Sequence, residues 1–367
     1  MEHREKFINQ MEPWIGQEEK KAVAEYLDSG AWLTEFKKTR EFEEKIANYV
    51  GSKYCSVVSN GTISLFCALK ALDIGDGDEV IVPDYTMIAS ANAIILAGAK
   101  PVFVDIDKKS LCLDFDLIKN AITRKTKAII LVSINGRCPD VKKFRQLASE
   151  KNIFLIEDAA QSLGSKYAGK HLGTFGDIGS FSFSTPKIIT TGQGGALVTD
   201  NEEIYKKILK IKDFGRQKSG VDIHETLGYN FKFTDLQAVI GIEQMKKLDF
   251  RAERKKQIYS LYKKLLKEVQ DVEFIQTDSK DTSPWFIDVL VPTGKREKLI
   301  AFLKESAIGS RPFYPAIHTQ PPYKWVEGNF ENSQYISERG LWLPSSSFLM
   351  DEDINYICGK IKDFFKI

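Results

Sequence analysis

Between residues 80 and 200 short runs of β-branched and aromatic residues alternate with stretches of helical spacing. The runs fall at residues 80–82, 102–104, 128–132, 153–156, 180–183 and 196–198. Each is continuously apolar rather than alternating, the pattern of a strand buried on both faces. Helical spacing fills the intervals 87–96, 115–122 and 141–151. Strand, helix and strand in succession predict right-handed crossovers and a mainly parallel central sheet flanked by helices, an α/β fold with its ligand at the carboxyl ends of the strands.

Past Thr234 the pattern changes. Residues 235–266 read as one long amphipathic helical stretch, dense in Lys and Glu, that bridges two domains. A strand over 285–291, a helix over 295–306 and a terminal helix over 351–365 then predict a smaller α+β unit. The chain is 367 residues long, more than one typical core. The expected division is a large α/β domain over 1–250, with the N-terminal segment packed on it, and a small C-terminal α+β domain over 251–367.

Charge narrows the partners. Lys and Arg number 52 against 50 Asp and Glu, a net charge of +2, so neither nucleic acid nor an anionic membrane is expected. The five cysteines, Cys55, Cys67, Cys112, Cys138 and Cys358, form no C-x-x-C pair, which predicts reduced thiols rather than a zinc ribbon or disulfide frame. The first residues lack an apolar leader core and no apolar run could span a bilayer, so a cytoplasmic protein is expected.

Three segments carry chemistry. Ser59-Asn60-Gly61-Thr62 links a short apolar strand to a helix; its amides and hydroxyl suit an anion, although Thr62 as a plain N-cap is the alternative. Asp158 and Gln161 end the run at 153–156, where a carboxylate can hold a pyridine nitrogen protonated, or simply cap a helix; Glu157 should face the other way. Lys187 lies in a loop between the run at 180–183 and the glycine cluster at 192–195. Most loop lysines are merely solvated, but small residues and glycines surround this one, as where a backbone approaches a cofactor. A lysine able to form a Schiff base, with a carboxylate for a ring nitrogen, is the pair that pyridoxal 5'-phosphate (PLP) chemistry requires.

With these residues, and with Trp32, Phe42, the segments at 77–83 and 98–105, Phe181, Phe183 and the Tyr229-Asn230 pair in order along the chain, the sequence resembles fold type I, aspartate-aminotransferase-like PLP enzymes. Within them it is similar to the DegT/DnrJ/EryC1/StrS sugar aminotransferases. The resemblance implies that Lys187 bears the cofactor and later acts as acid and base, that Asp158 meets the pyridine nitrogen and that Gln161 meets the ring hydroxyl. It implies phosphate contacts from Gly61, Thr62 and Ser182, joined by Asn230 of a neighbouring subunit, hence a homodimer with shared active sites. The proline-rich segment at 310–323 matches the family's substrate loop, where Arg311, Tyr314 and His318 suit phosphate and sugar hydroxyls; a stiff surface loop is the alternative.

Departures bear on the substrate. Met87 stands where the family usually stacks an aromatic residue on the cofactor, Ser133 where a histidine is common, and Lys232 where an arginine is common. Amino transfer from L-glutamate to a nucleotide-linked 4-keto-6-deoxy sugar, GDP-4-keto-6-deoxymannose above others, is the expected reaction. Another keto sugar, aminated at C3 or on a dTDP or UDP carrier, or a smaller keto phosphate is the alternative. The related PLP-dependent sugar dehydratases carry a histidine in place of the lysine, so Lys187 argues against them. A relative that has lost the cofactor would be colourless.

Overall fold

The computed structural model describes residues 7–218 and 220–366. After helices α1 (Gln17–Asp28) and α2 (Lys37–Val50), strand β1 (Tyr54–Val58) leads into α3 (Gly61–Ala71). There follow β2 (Glu79–Pro83), α4 (Ala89–Leu96), β3 (Lys100–Val104), α5 (Phe115–Ala121), β4 (Thr126–Val132), α6 (Val141–Lys151) and β5 (Phe154–Asp158). A small hairpin of β6 (Lys166–Tyr167) and β7 (Lys170–His171) precedes β8 (Ile178–Ser182), β9 (Gly195–Thr199) and α7 (Glu202–Lys212).

The large sheet has seven strands in the order β1-β9-β8-β5-β4-β2-β3. β8, β5, β4, β2 and β3 pair in parallel, while β9 runs antiparallel to both β8 and β1. The continuous apolar runs are explained by helices on both faces. Val80 and Val82 join Leu65 and Ile94 of α3 and α4 in one buried cluster, whereas Ile81 between them joins Ile118 and Phe144 of α5 and α6 in another. Successive side chains of a strand point to opposite faces, so a strand covered twice admits polar residues only where they find partners, as at its ends.

The expected single helix over 235–266 is two: α8 (Asp235–Met245) and α9 (Leu248–Leu265). The break at Lys246 and Lys247 lets the two helices serve different cores. α8 supplies Ala238 and Ile242 to the cluster of Phe42, Phe181 and Phe233, and α9 supplies Ile258, Tyr259 and Tyr262 to that of the second sheet. The stretch thus contributes to both cores, through two helices rather than one.

The second sheet orders β10 (Glu273–Phe274), β11 (Ile287–Leu290), β13 (Gly340–Leu343) and β12 (Arg311–Pro312), all antiparallel. Helices α10 (Arg296–Glu305), α11 (Glu331–Arg339) and α12 (Asp351–Phe365) accompany it. The N-terminal segment is split between the two units. α1 packs on α8, with Tyr26 Oη donating to Asp235 at 3.1 Å, but Ile8 pairs with Ile308 and lies in the second sheet's core.

Arg137, four residues beyond Ser133, has a structural role. Arg137 is buried, its Nη1 is 2.6 Å from Asp288 Oδ2 of β11, and its Nε donates to the Ser110 carbonyl at 2.9 Å. Removing one partner of a buried ion pair strands the other charge, at a cost of about 3 kcal/mol or more. Arg137→Ala is expected to lower the free energy of denaturant unfolding by that amount while leaving KM for the sugar unchanged. A raised KM with undiminished stability would return Arg137 to substrate binding.

Candidate active site

Every chemical segment lies at one edge of the large sheet, because the parallel strands end there. β5 ends in Asp158, β4 runs on into Ser133, β2 into Asp84 and β8 into the Lys187 loop. β1, antiparallel to β9 and so aligned with β8, delivers Ser59-Asn60-Gly61-Thr62 to the same edge.

Asp158 is buried. Its Oδ2 accepts from Ser90 Oγ at 2.7 Å and its Oδ1 from the Ala160 amide at 3.2 Å. Burial pushes the carboxyl above the usual carboxylate range, while Ser90, the Ala160 amide and the Lys187 amine oppose the rise. Ser90, on the first turn of α4, is a site residue that sequence patterns did not reveal. Glu157 does face the other way, as strand alternation required: it accepts from the amides of Gly173, Phe175 and Gly176 at 2.8, 2.5 and 2.6 Å.

Lys187 sits in a bend after β8, its amide donating to the Ser184 carbonyl at 2.9 Å. Burial lowers its amine from 10.5 to about 8, against the pull of Asp158. Among the described residues two other lysines, Lys212 and Lys255, are more fully enclosed than Lys187, which is half-buried. Lys212 is raised instead, because Glu43 and Glu35 outweigh its burial, with contacts of 3.2 and 3.1 Å. Lys255 falls to about 7 through burial and Arg251, but it donates to the carbonyls of Trp285, at 2.9 Å, and Ser345. Of these buried amines Lys187 alone answers to the charge of Asp158.

At the start of α3 the cap is Asn60, not Thr62: Asn60 Oδ1 accepts from Ile63 N at 3.0 Å and the Asn60 carbonyl from Ser64 N at 3.0 Å. The Gly61 and Thr62 amides, within the first turn, have no intrahelical acceptor. Ser182 stands beside them, since a Cβ on Gly61 would lie 3.0 Å from Ser182 Cβ. Ser64 Oγ, 2.7 Å from Ser180 Oγ and 2.9 Å from the Ala196 carbonyl, sews this turn to β8 and β9. Gln161 is buried, its Oε1 accepting from the Asn135 amide at 2.8 Å, so its NH2 stays a donor.

Around this centre lie the remaining residues. Met87 is 45 % exposed and occupies the turn before α4, not the helix expected from residue 87. Tyr314 is half-buried; burial raises its phenol, which feels both the Arg311 and the Asp158 charges. His318 Nδ1 contacts Asp84 Oδ2 at 2.6 Å, and its amide donates to Asp84 Oδ1 at 2.9 Å, which anchors the 310–323 segment to the end of β2. Arg311 and Asn230 are exposed. Asn230 adjoins Phe231, whose carbonyl accepts from the Ser59 amide at 3.1 Å. The Ser133 hydroxyl is buried without a partner among the described residues. Lys232 is spent on Asp213 at 2.6 Å.

This donor set suits a phosphorylated pyridine aldehyde: a desolvated amine, a buried carboxylate facing the same charge, and a glycine turn with unspent amides at a helix start. The DegT/DnrJ/EryC1/StrS aminotransferase family model matches residues 13–362. The chain belongs to this family. GDP-perosamine synthase of Escherichia coli O157:H7 is 39 % identical over 98 % of this chain and 99 % of its own length. That of Vibrio cholerae is 35 % identical over 96 % and 98 %. Among solved structures, a Streptococcus pneumoniae protein assigned as a sugar aminotransferase, in its PMP form, superposes with a TM-score of 0.93 at 28 % identity, covering 98 % of each chain; it is also known in a PLP form. The chain is a PLP-dependent aminotransferase of fold type I, as its sequence implied. Among the described residues no helix is long and apolar enough to cross a membrane.

The lowered amine of Lys187 has a measurable consequence. Only the neutral amine attacks an aldehyde, so the rate at which the cofactor-free chain captures PLP should rise with pH through a midpoint of about 8 and level off above it. Absorbance of the bound cofactor follows the rate; a midpoint near that of a free lysine would show that Lys187 is solvated or is not the attacking group.

Proposed function

We propose that this enzyme transfers the amino group of L-glutamate to GDP-4-keto-6-deoxymannose, releasing 2-oxoglutarate and the 4-amino sugar nucleotide for surface-polysaccharide or other glycan biosynthesis. The observation that carries this reading is the near full-length likeness to two GDP-perosamine synthases. PLP supplies the electron sink. Lys187 Nζ would bear the cofactor and, when free, could carry the proton between the reacting carbons; Asp158 would keep the ring nitrogen protonated and the Gln161 amide would donate to the ring oxygen. Gly61, Thr62 and Ser182 would hold the phosphate, and Met87 would offer a thioether to the ring in place of an aromatic side chain. Arg311, Tyr314 and His318 receive the sugar nucleotide. The proposed division into domains, at about residue 250, lies close to the junction of α8 and α9.

The test is incubation with L-glutamate and GDP-, dTDP- or UDP-linked keto sugars in turn, with mass spectrometry for replacement of the keto oxygen by an amine. Conversion of the GDP 4-keto sugar alone supports the reading. Preference for a dTDP or UDP sugar, amination at C3, or conversion of a smaller keto phosphate would replace it; Met87 and the partnerless Ser133 hydroxyl are the observations that favour such a shift.

The active form is proposed to be a homodimer. Trp32 and Leu227 are 66 % and 90 % exposed, with Leu33, Phe36, Ile223 and Tyr229 also open to solvent. Thr34 pairs with Thr234, and Glu35 contacts Lys212, so the exposed stretch at 32–36 flanks the segment after α7. Such clustering favours a protein partner, here a second copy whose Asn230 reaches the cofactor phosphate. Mixing Lys187→Ala with Asn230→Ala protein should then restore activity, since one of the two hybrid sites holds both intact residues. Silence despite proven subunit exchange would assign Asn230 to its own chain or to no site.

A further inference from the structure

Lys187 Nζ lies 4.0 Å from the centroid of the Trp285 indole. The two side chains come from different units: Lys187 from the loop after β8, Trp285 from the segment just ahead of β11. The ring is 5 % exposed and is fixed from several directions. Its Nε1 donates to the Pro186 carbonyl at 2.6 Å, one residue before the lysine. Its plane stacks on Phe286 at 3.8 Å and 21°. Its own carbonyl accepts from the buried Lys255 Nζ at 2.9 Å. Phe286 in turn is locked by Asn135, which accepts from the Phe286 amide at 2.5 Å and donates to its carbonyl at 2.8 Å, and whose own amide is bound by Gln161.

An indole face attracts an ammonium ion through its quadrupole, most strongly where water is excluded. Here the face is held by the lysine's own loop on one side and by α9 on the other, so no ordering is needed when the amine settles on it. We propose that Trp285 is a positioning residue for Lys187: its indole face seats the lysine ammonium whenever the amine is not joined to the cofactor, and so fixes where the proton on Nζ waits between the two halves of the reaction. The inference rests on the reading of Lys187 as the cofactor-bearing lysine.

The test measures the titration of Lys187 itself rather than turnover. Full-length wild type, Trp285→Phe and Trp285→Leu, each loaded with pyridoxamine 5'-phosphate so that the amine is free, are trace-labelled with acetic anhydride across pH. The Lys187 peptide is quantified by mass spectrometry. Losing the aromatic face removes an interaction that favours the charged amine, so the midpoint in Trp285→Leu should fall by about half to one pH unit. Trp285→Phe, which keeps a face but loses the bond to Pro186, should stay close to wild type. An unchanged midpoint in the leucine variant, or equal shifts in both, overturns the proposal; equal shifts would assign the effect to the Pro186 bond. Should the leucine variant not fold, Lys187→Met serves: wild type should show a near-UV indole perturbation across pH 8 that this variant lacks, and persistence of the perturbation counts against the seat. Borohydride reduction of the PLP form separates the two readings. Label on another lysine removes both, whereas label on Lys187 with no shift in the variants removes this one alone.

Discussion

Lys187→Ala protein should be colourless and should lose transamination by at least about 10³-fold, within the range a positioned acid–base group supplies, while melting within a few degrees of wild type. The fold survives because the amine contributes little to it: the amine of Lys187 is lowered by burial, lies over the Trp285 face and feels the Asp158 charge. Activity does not survive because the remaining buried lysines cannot substitute. Lys212 is locked between Glu35 and Glu43, and Lys255 donates to two carbonyls behind Trp285. Circular dichroism, cofactor absorbance and product formation on one preparation check the three parts of this expectation. Retained activity would move the chemistry to another amine.

Asp158→Asn should still bind PLP yet turn over roughly 10²–10³-fold more slowly, the usual cost of removing a preorganised charge from a water-excluded site. An amide in that place cannot hold the ring nitrogen protonated, so the cofactor loses much of its capacity to accept negative charge. Burial raises the Asp158 carboxyl, and Ser90 with the Ala160 amide resists the rise, so the carboxylate depends on those two donors. Cofactor affinity from titration of the absorbance band, set beside kcat, separates binding from chemistry; near-normal kcat would show that a different group serves the ring nitrogen.

What could be read from the chain alone follows from physical range. Residues 80–82 and 128–132 announce buried strands because both sheet faces are covered, and that leaves a continuous apolar signature within a few positions. Asp158, Lys187 and Gly61 were legible because each follows such a run, and strand ends converge on one edge. α2 carries an equally plain stripe, Phe42, Ile46 and Val50, which a reading centred on strands passes over. Other features have no local signature. Ser90 reaches Asp158 across 68 positions and Trp285 reaches Pro186 across 99; nothing in either neighbourhood marks the partner. The break at Lys246 and Lys247 is hidden because helical spacing continues on both sides of it, and only the separate destinations of α8 and α9 call for one. The role of Arg137 has no local sign either, because Asp288, its partner, lies in the other sheet.

Which amine bears the cofactor is decided most directly by borohydride reduction of the PLP-loaded enzyme, proteolysis, and mass spectrometric mapping of the modified peptide. The structure predicts a single reduced adduct on Lys187. A label on Lys255, whose amine is also lowered, to about 7, or on the hairpin lysines Lys166 and Lys170, would contradict it.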